Sequence, residues 1–316
     1  MVADALRGLH VGVKWRKVSP MARWEATWGF VFLSPWLFGF MVFYLIPMGA
    51  SLVFSFTNFQ LAHPELTRFI GLENYQELFR DPIVRKSMWI TIRFMLFSVP
   101  ISLIVPLALA TLLNAKNLWA RRVFTTLFYM PTIVPLISAI YIWQGFLNPR
   151  TGWLNKFLFL FGIEGPDWLN SVVWVYPALI MIGFWGIGNA MLTMLAGMRN
   201  VPAELYDAAR VDGAGFLAIF WNITLPMITP VIFYNLVLSV IGHFQYFIIP
   251  WVLQGPTGDP GGATMFFNLY LFKEAFVYMD MGYGATLAWV LFFIALVTTI
   301  FLFSTAKYWV YYTAGD

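Results

Sequence analysis

The chain of 316 residues has no cysteine, which excludes disulfides, thiolate nucleophiles and cysteine-built metal sites. Charge is scarce as well, with Asp, Glu, Lys and Arg making up 11% of the residues. The three histidines, His10, His63 and His243, are far apart in sequence and form no metal-binding pair. There is no glycine-rich loop ending in Lys and Ser or Thr that would cradle a phosphate, and no GxSxG nucleophile turn. No catalytic set is visible, so we expect no enzymatic activity and no cofactor or metal bound by this chain. The net charge of +4 is not arranged as a basic stripe with interleaved aromatics, and nucleic acid is not an expected partner.

What the sequence has in abundance is apolar residues, 60% hydrophobic and 19% aromatic, the makeup of a protein that lives in lipid. A helix rises about 1.5 Å per residue, so roughly 20 apolar residues cross the hydrocarbon layer. Six runs meet that length without a charge, at 27–56, 94–113, 123–147, 172–198, 226–253 and 285–303. They show no alternation of period two, which favours helices over a barrel. The expected fold is an all-α membrane protein of six transmembrane helices. The first run is about twice the length of a signal peptide's apolar core and is followed by no small-residue cleavage pattern, so it reads as a permanent span.

The runs contain no Asp, Glu, Lys or Arg, and a proton or ion relay through a span needs such groups. Uphill transport by this chain must therefore draw its energy from elsewhere. A channel would be marked by a carbonyl-presenting loop or a ring of charge, and neither is visible.

Lys and Arg accumulate on cytoplasmic segments. Placing the amino terminus inside gathers Arg7, Lys14, Arg16, Lys17, Arg23, Lys116, Arg121, Arg122, Arg199, Arg210 and Lys307 on that side. Against these eleven stand six acids, whereas the other side has eight basic residues and nine acidic ones. Both termini are thus expected in the cytoplasm. Arg80, Arg85, Lys86 and Arg93 cluster on the outer side, flanking a span, where long side chains snorkel to the interface.

The most telling stretch is the polar segment 199–226 between the fourth and fifth runs. Pro202 suits a first helical turn, and Glu204, Asp207 and Arg210 recur at helical spacing, so a short cytoplasmic helix is expected. Ala208 and Ala209 are small enough to admit a partner surface. Gly213 and Gly215 permit a sharp turn before the chain re-enters an apolar run at Phe216, and Leu225 and Pro226 open the fifth span.

The order Asp207, Ala208, Ala209, Gly213, Ile223, Leu225, Pro226 resembles, with every spacing matched, the EAA loop of binding-protein-dependent ABC importer permeases. Asp207 stands where that loop has Glu, which keeps the charge on a shorter arm. The words PAELY at 202–206 and DGAG at 212–215 are similar to the carbohydrate-uptake branch, which includes maltose and glycerol-3-phosphate permeases. So are GLENY at 71–75, FYMPTIVP at 128–135, GWLN at 152–155 and GYGA at 282–285. After Gln254 the chain departs, with Gly255, Pro256 and then TGDPGG where the family has GGP.

The resemblance implies a type I ABC importer permease fold in a bacterial or archaeal cytoplasmic membrane, with a core at 94–307. Around that core would lie a tail at 1–26, a first helix at 27–56, an external loop at 57–93 and a second tail at 308–316. It implies two permease chains forming one pore, the second a different chain, two ATPase subunits holding ATP and Mg, and an extracytoplasmic binding protein delivering a sugar or related polyol. Glu204, Asp207, Ala208, Ala209, Arg210 and Gly213 are then the expected ATPase-docking residues. The competing class is a secondary transporter or facilitator that works without an ATPase.

For the solute path, Asn235, Ser239, Gly242, His243 and Tyr246 recur at steps of three and four on the fifth run and are expected to share one stripe. Such a stripe faces protein or water, either joining helices or contacting the solute, and Ser239, His243 and Tyr246 offer the hydroxyl and ring chemistry that sugars use. The stretch 239–247 sits where maltose-type permeases contact substrate, and by the same resemblance Trp185, Gly186 and Asn189 of the fourth run would face the solute. For His243 a neutral ring in a helix contact is favoured over a proton switch. Outside the membrane, Leu72, Tyr75, Leu78 and Phe79 suggest an interfacial helix within 69–81. The Gly- and Pro-rich 255–262 reads as irregular, either a contact loop or a flexible connector. Pro35, Pro47, Pro100, Pro106, Pro131 and Pro135 are expected to kink their helices.

Overall fold

The computed structural model describes residues 19–115 and 118–311. The basic residues Arg7, Lys14, Arg16, Lys17 and Lys116, and most of the expected carboxy-terminal tail, lie outside them. The chain divides into two compact units, 1–53 and 54–316. Among the described residues the structure is helical, with two isolated bridges, Thr57 to Phe69 and Gln60 to Asp280.

Helix α1 (Pro20–Phe54) makes up nearly all of the described part of the first unit. Ser19 caps it by accepting from the Ala22 amide at 3.2 Å, with Pro20 at the first position, where no amide is needed. Pro35 and Pro47 lie inside it, and a π turn at Met41–Leu45 separates its two α-helical stretches.

In the second unit the order is α2 (Glu73–Arg80), α3 (Pro82–Asn114), α4 (Arg121–Tyr129), α5 (Leu136–Phe146), α6 (Trp153–Phe159), α7 (Val175–Gly183), α8 (Gly188–Arg199), α9 (Ala203–Val211), α10 (Phe216–Met227), α11 (Thr229–Phe244), α12 (Ile248–Gln254), α13 (Phe267–Phe272) and α14 (Met281–Trp309). Three pieces here are long and apolar enough to cross a membrane unbroken, α3, Thr229–Thr257 and α14, as α1 is in the first unit. The third and fourth apolar runs are each broken. Arg121–Ile133 and Leu136–Phe146 meet at 102°, and Val175–Gly186 and Gly188–Arg199 at 54°. Counting each bent pair as one span gives six.

Proline explains the first break but not the second. Pro131 sits in a 3-10 turn and Pro135 precedes α5, so neither supplies the amide an α-helix would use there. The second break falls among Gly183, Gly186 and Gly188, the residue type least committed to helix. Pro100 and Pro106, expected to kink, sit inside an α3 that runs on without interruption. That helix also begins well before its apolar run. Asp81 accepts from the Ile83 amide at 2.7 Å and Pro82 takes the first position, a start signal that hydropathy does not register.

The main core lies where α3, α7, α11, α13 and α14 meet, around Phe94, Leu179, Phe244, Phe266, Phe267 and Leu287. A second cluster, Ala110, Leu113, Met191, Met194, Met198 and Ile228, sits where α3 and α8 run together toward the polar segment.

Helix α2 does not carry one apolar face. Leu78 is buried and Tyr75 half-buried, while Leu72 and Phe79 are exposed. Asn74, which the apolar reading passed over, is buried and donates to the carbonyls of Ser55 and Thr57 at 3.0 and 2.9 Å. The stretch 255–262 contains one 3-10 turn, Gly255–Thr257, and a cis Asp259–Pro260 bond. It is tied down by Lys86 donating to the Gly261 carbonyl at 3.3 Å and by the Thr264 amide donating to Gly258 at 3.1 Å. The connector reading does not fit those ties.

Candidate coupling and solute-path sites

The polar segment forms α9, with Pro202 one position ahead of the helix rather than inside it. The Gly213 amide donates to Arg210 O at 3.0 Å and the Ala214 amide to Ala209 O at 2.9 Å. This paired closure is a Schellman motif, which requires a left-handed residue at the position of Gly213, and its φ is +78°. Gly215 has φ −73° and needs no glycine. Of the two expected turn glycines, only Gly213 is there for its handedness.

Asp207 and Arg210 form an exposed ion pair at 2.9 Å, an interaction worth about 0–1 kcal/mol that does not by itself hold the helix. The anchor is Tyr206, whose hydroxyl meets Thr224 Oγ at 3.2 Å across to α10. Behind α9 lies a cavity of about 460 Å³, lined by Thr111, Asn114, Tyr206, Arg210, Phe216 and Phe220 among others. On the outward side Glu204, Ala208 and Val211 follow helical spacing and all are exposed, Val211 by 88%. Apolar Val211, absent from the sequence-derived set, is the group on this helix with most to gain from a partner.

The expected solute stripe divides among three surroundings. Asn235 is buried and donates to Thr193 Oγ on α8 at 3.1 Å. Ser239 and His243 turn toward α3, where Ser239 Oγ lies 2.8 Å from Ser102 Oγ and His243 Nε2 lies 2.8 Å from Ser98 Oγ. Since His243 Nδ1 sits 2.7 Å from the Ser239 carbonyl, that nitrogen donates and Nε2 accepts from the Ser98 hydroxyl. Both ring nitrogens are thus used, Nδ1 within α11 and Nε2 in joining α11 to α3. Tyr246 lies beyond the last residue of α11, its ring against Phe94 and Phe266, and its buried hydroxyl has no hydrogen-bond partner among the described residues. Gly242 is exposed with open space about it.

On the fourth run, Gly186 and Asn189 are exposed, whereas Trp185 packs edge-on to Trp143, ring centroids 6.0 Å apart. The sequence reading missed Ser98 and Ser102, four residues apart on an apolar run, a spacing that does signal one face of a helix. It also missed Gln245 and Asn268, amides that border a groove of about 750 Å³ between α11, α13 and α14.

Residues 102–309 match the sequence pattern of a family described as the binding-protein-dependent transport system inner membrane component. The chain is 35% identical over 260 residues to the sulfoquinovosyl glycerol transport system permease SmoG of Agrobacterium fabrum, spanning 81% of this chain and 83% of that one. It is 32% identical over 273 residues to the arabinooligosaccharide transport system permease AraP of Bacillus subtilis, spanning 86% of each. Its fold matches a chain of a bacterial alginate ABC transporter solved with an alginate pentasaccharide-bound periplasmic protein, with TM-score 0.78 and 21% identity over 90% of this chain and 95% of that one.

Proposed function

The chain belongs to the binding-protein-dependent transport system inner membrane component family, and from that premise we propose that it is the permease subunit of an ATP-driven importer of a carbohydrate or related polyol. The observation that carries the reading is the α9 region. Asp207, Ala208 and Ala209 of the EAA spacing lie on a short helix, closed by a left-handed Gly213 and followed by re-entry into an apolar run that carries Ile223, Leu225 and Pro226. Sugar cargo is supported by the permeases of arabinooligosaccharide and sulfoquinovosyl glycerol systems that the chain resembles along most of its length.

In this reading six spans cross the cytoplasmic membrane, with both termini and α9 on the cytoplasmic face. Glu204, Asp207, Ala208, Ala209, Arg210 and Gly213, joined by Val211, seat in a cleft on a separate ATPase. ATP and Mg are held by that ATPase and not by this chain. Closure of the ATPase pair pushes α9, and Tyr206 passes the push to α10 through Thr224. The pore, shared with a second permease of different sequence, turns from inward-open to outward-open while an external binding protein supplies the solute. Ser239, His243 and Asn235 act here as joints between α11 and its neighbours. Gly242, Gly186 and Asn189, which are exposed, are left as the solute-facing members of the expected set, whereas the rings of Tyr246 and Trp185 are taken up in packing on other rings.

Purifying the tagged chain in mild detergent from its native host and identifying stoichiometric companions by mass spectrometry tests the assembly. An ATPase and a second permease are expected. A chain that comes alone or as a homo-oligomer overturns the importer reading in favour of a self-sufficient transporter.

A further inference from the structure

The connection between the third and fourth apolar runs contains a face that neither the coupling helix nor the solute path uses. After α5 the chain turns at Asn148, whose Oδ1 accepts from the amides of Arg150 and Thr151, each at 3.0 Å. Gly152 then comes so close to the Asn148 carbonyl that a Cβ has no room, and α6 begins. Its inner side is locked. Asn155 is buried, donating to the carbonyls of Pro149 and Pro166 at 3.1 Å each and accepting from the Trp168 indole at 2.6 Å. Leu154 and Leu158 pack on the main core.

The outer side is aromatic and uncovered. Trp153, Phe157 and Phe161 follow at steps of four, exposed by 74%, 56% and 67%, with the last two rings 5.3 Å apart. A locked inner side means these rings are held outward rather than left unplaced, and an exposed apolar patch of this kind marks an interaction surface. Two observations identify the partner. First, the patch continues onto the span: Tyr141, Ile142, Gly145 and Phe146 of α5 share with Thr151 and Trp153 a groove of about 550 Å³. Second, the stretch 141–163 contains Arg150 and Lys156 and no acid at all, which suits phosphate-bearing headgroups. Tryptophan and basic residues at the end of an apolar run are the groups that sit at headgroup level.

We propose that 150–161 is a membrane-surface anchor: Trp153, Phe157 and Phe161 bed in the boundary between headgroups and acyl chains, and Arg150 and Lys156 pair with anionic phospholipid. The inference rests on the spanning arrangement proposed above. The anchor fixes how deep the outer end of α5 sits, which matters because α5 hangs from a sharp break.

The absence of cysteine supplies a clean background for the test. Phe157→Cys, Phe161→Cys, Val297→Cys on the exposed face of α14 and Glu65→Cys in the loop before α2 are each made in the full chain. Each is spin-labelled and placed in nanodiscs of phosphatidylcholine with or without phosphatidylglycerol. Collision with oxygen, which partitions into lipid, is compared with collision with a water-soluble nickel chelate. The expected oxygen-to-nickel ratio at Phe157 and Phe161 is severalfold above that at Glu65 and on the Val297 side of it. Adding Arg150→Glu and Lys156→Glu should lower it at least twofold in the phosphatidylglycerol discs and leave it unchanged in phosphatidylcholine alone.

A ratio equal to that of Glu65 overturns the anchor, as does shielding from both reagents, which would mean that protein covers the face. An unchanged ratio in the charge-reversed variants overturns the pairing with anionic headgroups. If Val297 and Glu65 do not differ, the spanning arrangement itself has failed, an outcome distinct from failure of the anchor alone.

Discussion

Gly213 is the residue on which the coupling segment turns. A non-glycine residue in the left-handed region costs roughly 1–2 kcal/mol, with Asn the mildest exception. Gly213→Glu is therefore expected to abolish transport while the chain still accumulates in the membrane, and Gly213→Asn to retain a substantial part of it. Equal transport by both, measured against membrane content by immunoblot, would remove Gly213 from the docking role. Glu274, in the π turn at Lys273–Val277, is a different kind of residue. Burial first, and then the neighbouring Asp81 and Asp280 carboxylates, push its pKa above the usual carboxylate value. A carboxyl group raised on folding stabilises the fold below its unfolded pKa, and that contribution is lost as pH rises through the higher folded value. Glu274→Gln should thus raise the thermal midpoint more at pH 8 than at pH 5. An identical shift at both would mean that the carboxyl titrates as it does in the unfolded chain.

Among the elements, the two broken runs meet at their breaks. A Cβ on Gly188 would lie 2.8 Å from Thr132 Cγ and 3.0 Å from the Phe128 carbonyl and Tyr129 Cα. Only glycine lets α8 start this close to the turn that ends α4. Overpacking costs about 1–3 kcal/mol, so Gly188→Val should lower the thermal midpoint by several degrees and impair transport. An unshifted midpoint would show that the breaks can separate freely. This contact illustrates what sequence makes legible and what it does not. Span composition is written locally, so the runs were readable, as was the break at Pro131 and Pro135. The break at Ile187 was not, because Gly188, the one glycine there with a close neighbour, is explained by residues some sixty positions earlier. The stripe on α11 fared likewise: the spacing of Asn235, Ser239 and His243 is visible, but their partners Thr193, Ser102 and Ser98 come from other helices. Helical period gives a face and not what the face meets. The phrase GYGA, legible only as a resemblance, has a steric basis, since a Cβ on Gly282 would strike the Thr57 carbonyl and one on Gly284 the Ala275 backbone.

Over the whole molecule, the spanning arrangement puts α9 and α2 on opposite sides of the membrane, a prediction that needs no partner to check. In intact cells a membrane-impermeant maleimide should label Gln76→Cys on α2 and leave Glu204→Cys on α9 unlabelled until the cells are opened. The reverse pattern would invert the topology. The two ends are also held differently. The end at α9 is held by apolar contact and by single hydrogen bonds at Tyr206 and Thr229, whereas at the α2 end one carboxylate, Asp81, caps α3 and accepts the hydroxyls of Tyr270 on α13 and Tyr283 on α14.

The tie at Asp81 bears on how the protein comes into being. Tyr283 follows Asp81 by 202 residues, which at roughly 5–20 residues per second takes about 10–40 s of synthesis. Throughout that interval the capping carboxylate waits on a half-built chain whose last helices are not yet complete. The end around Asp81 can close only in the final stage of translation, so a nascent chain stalled before Tyr270 should be the form most open to proteases there.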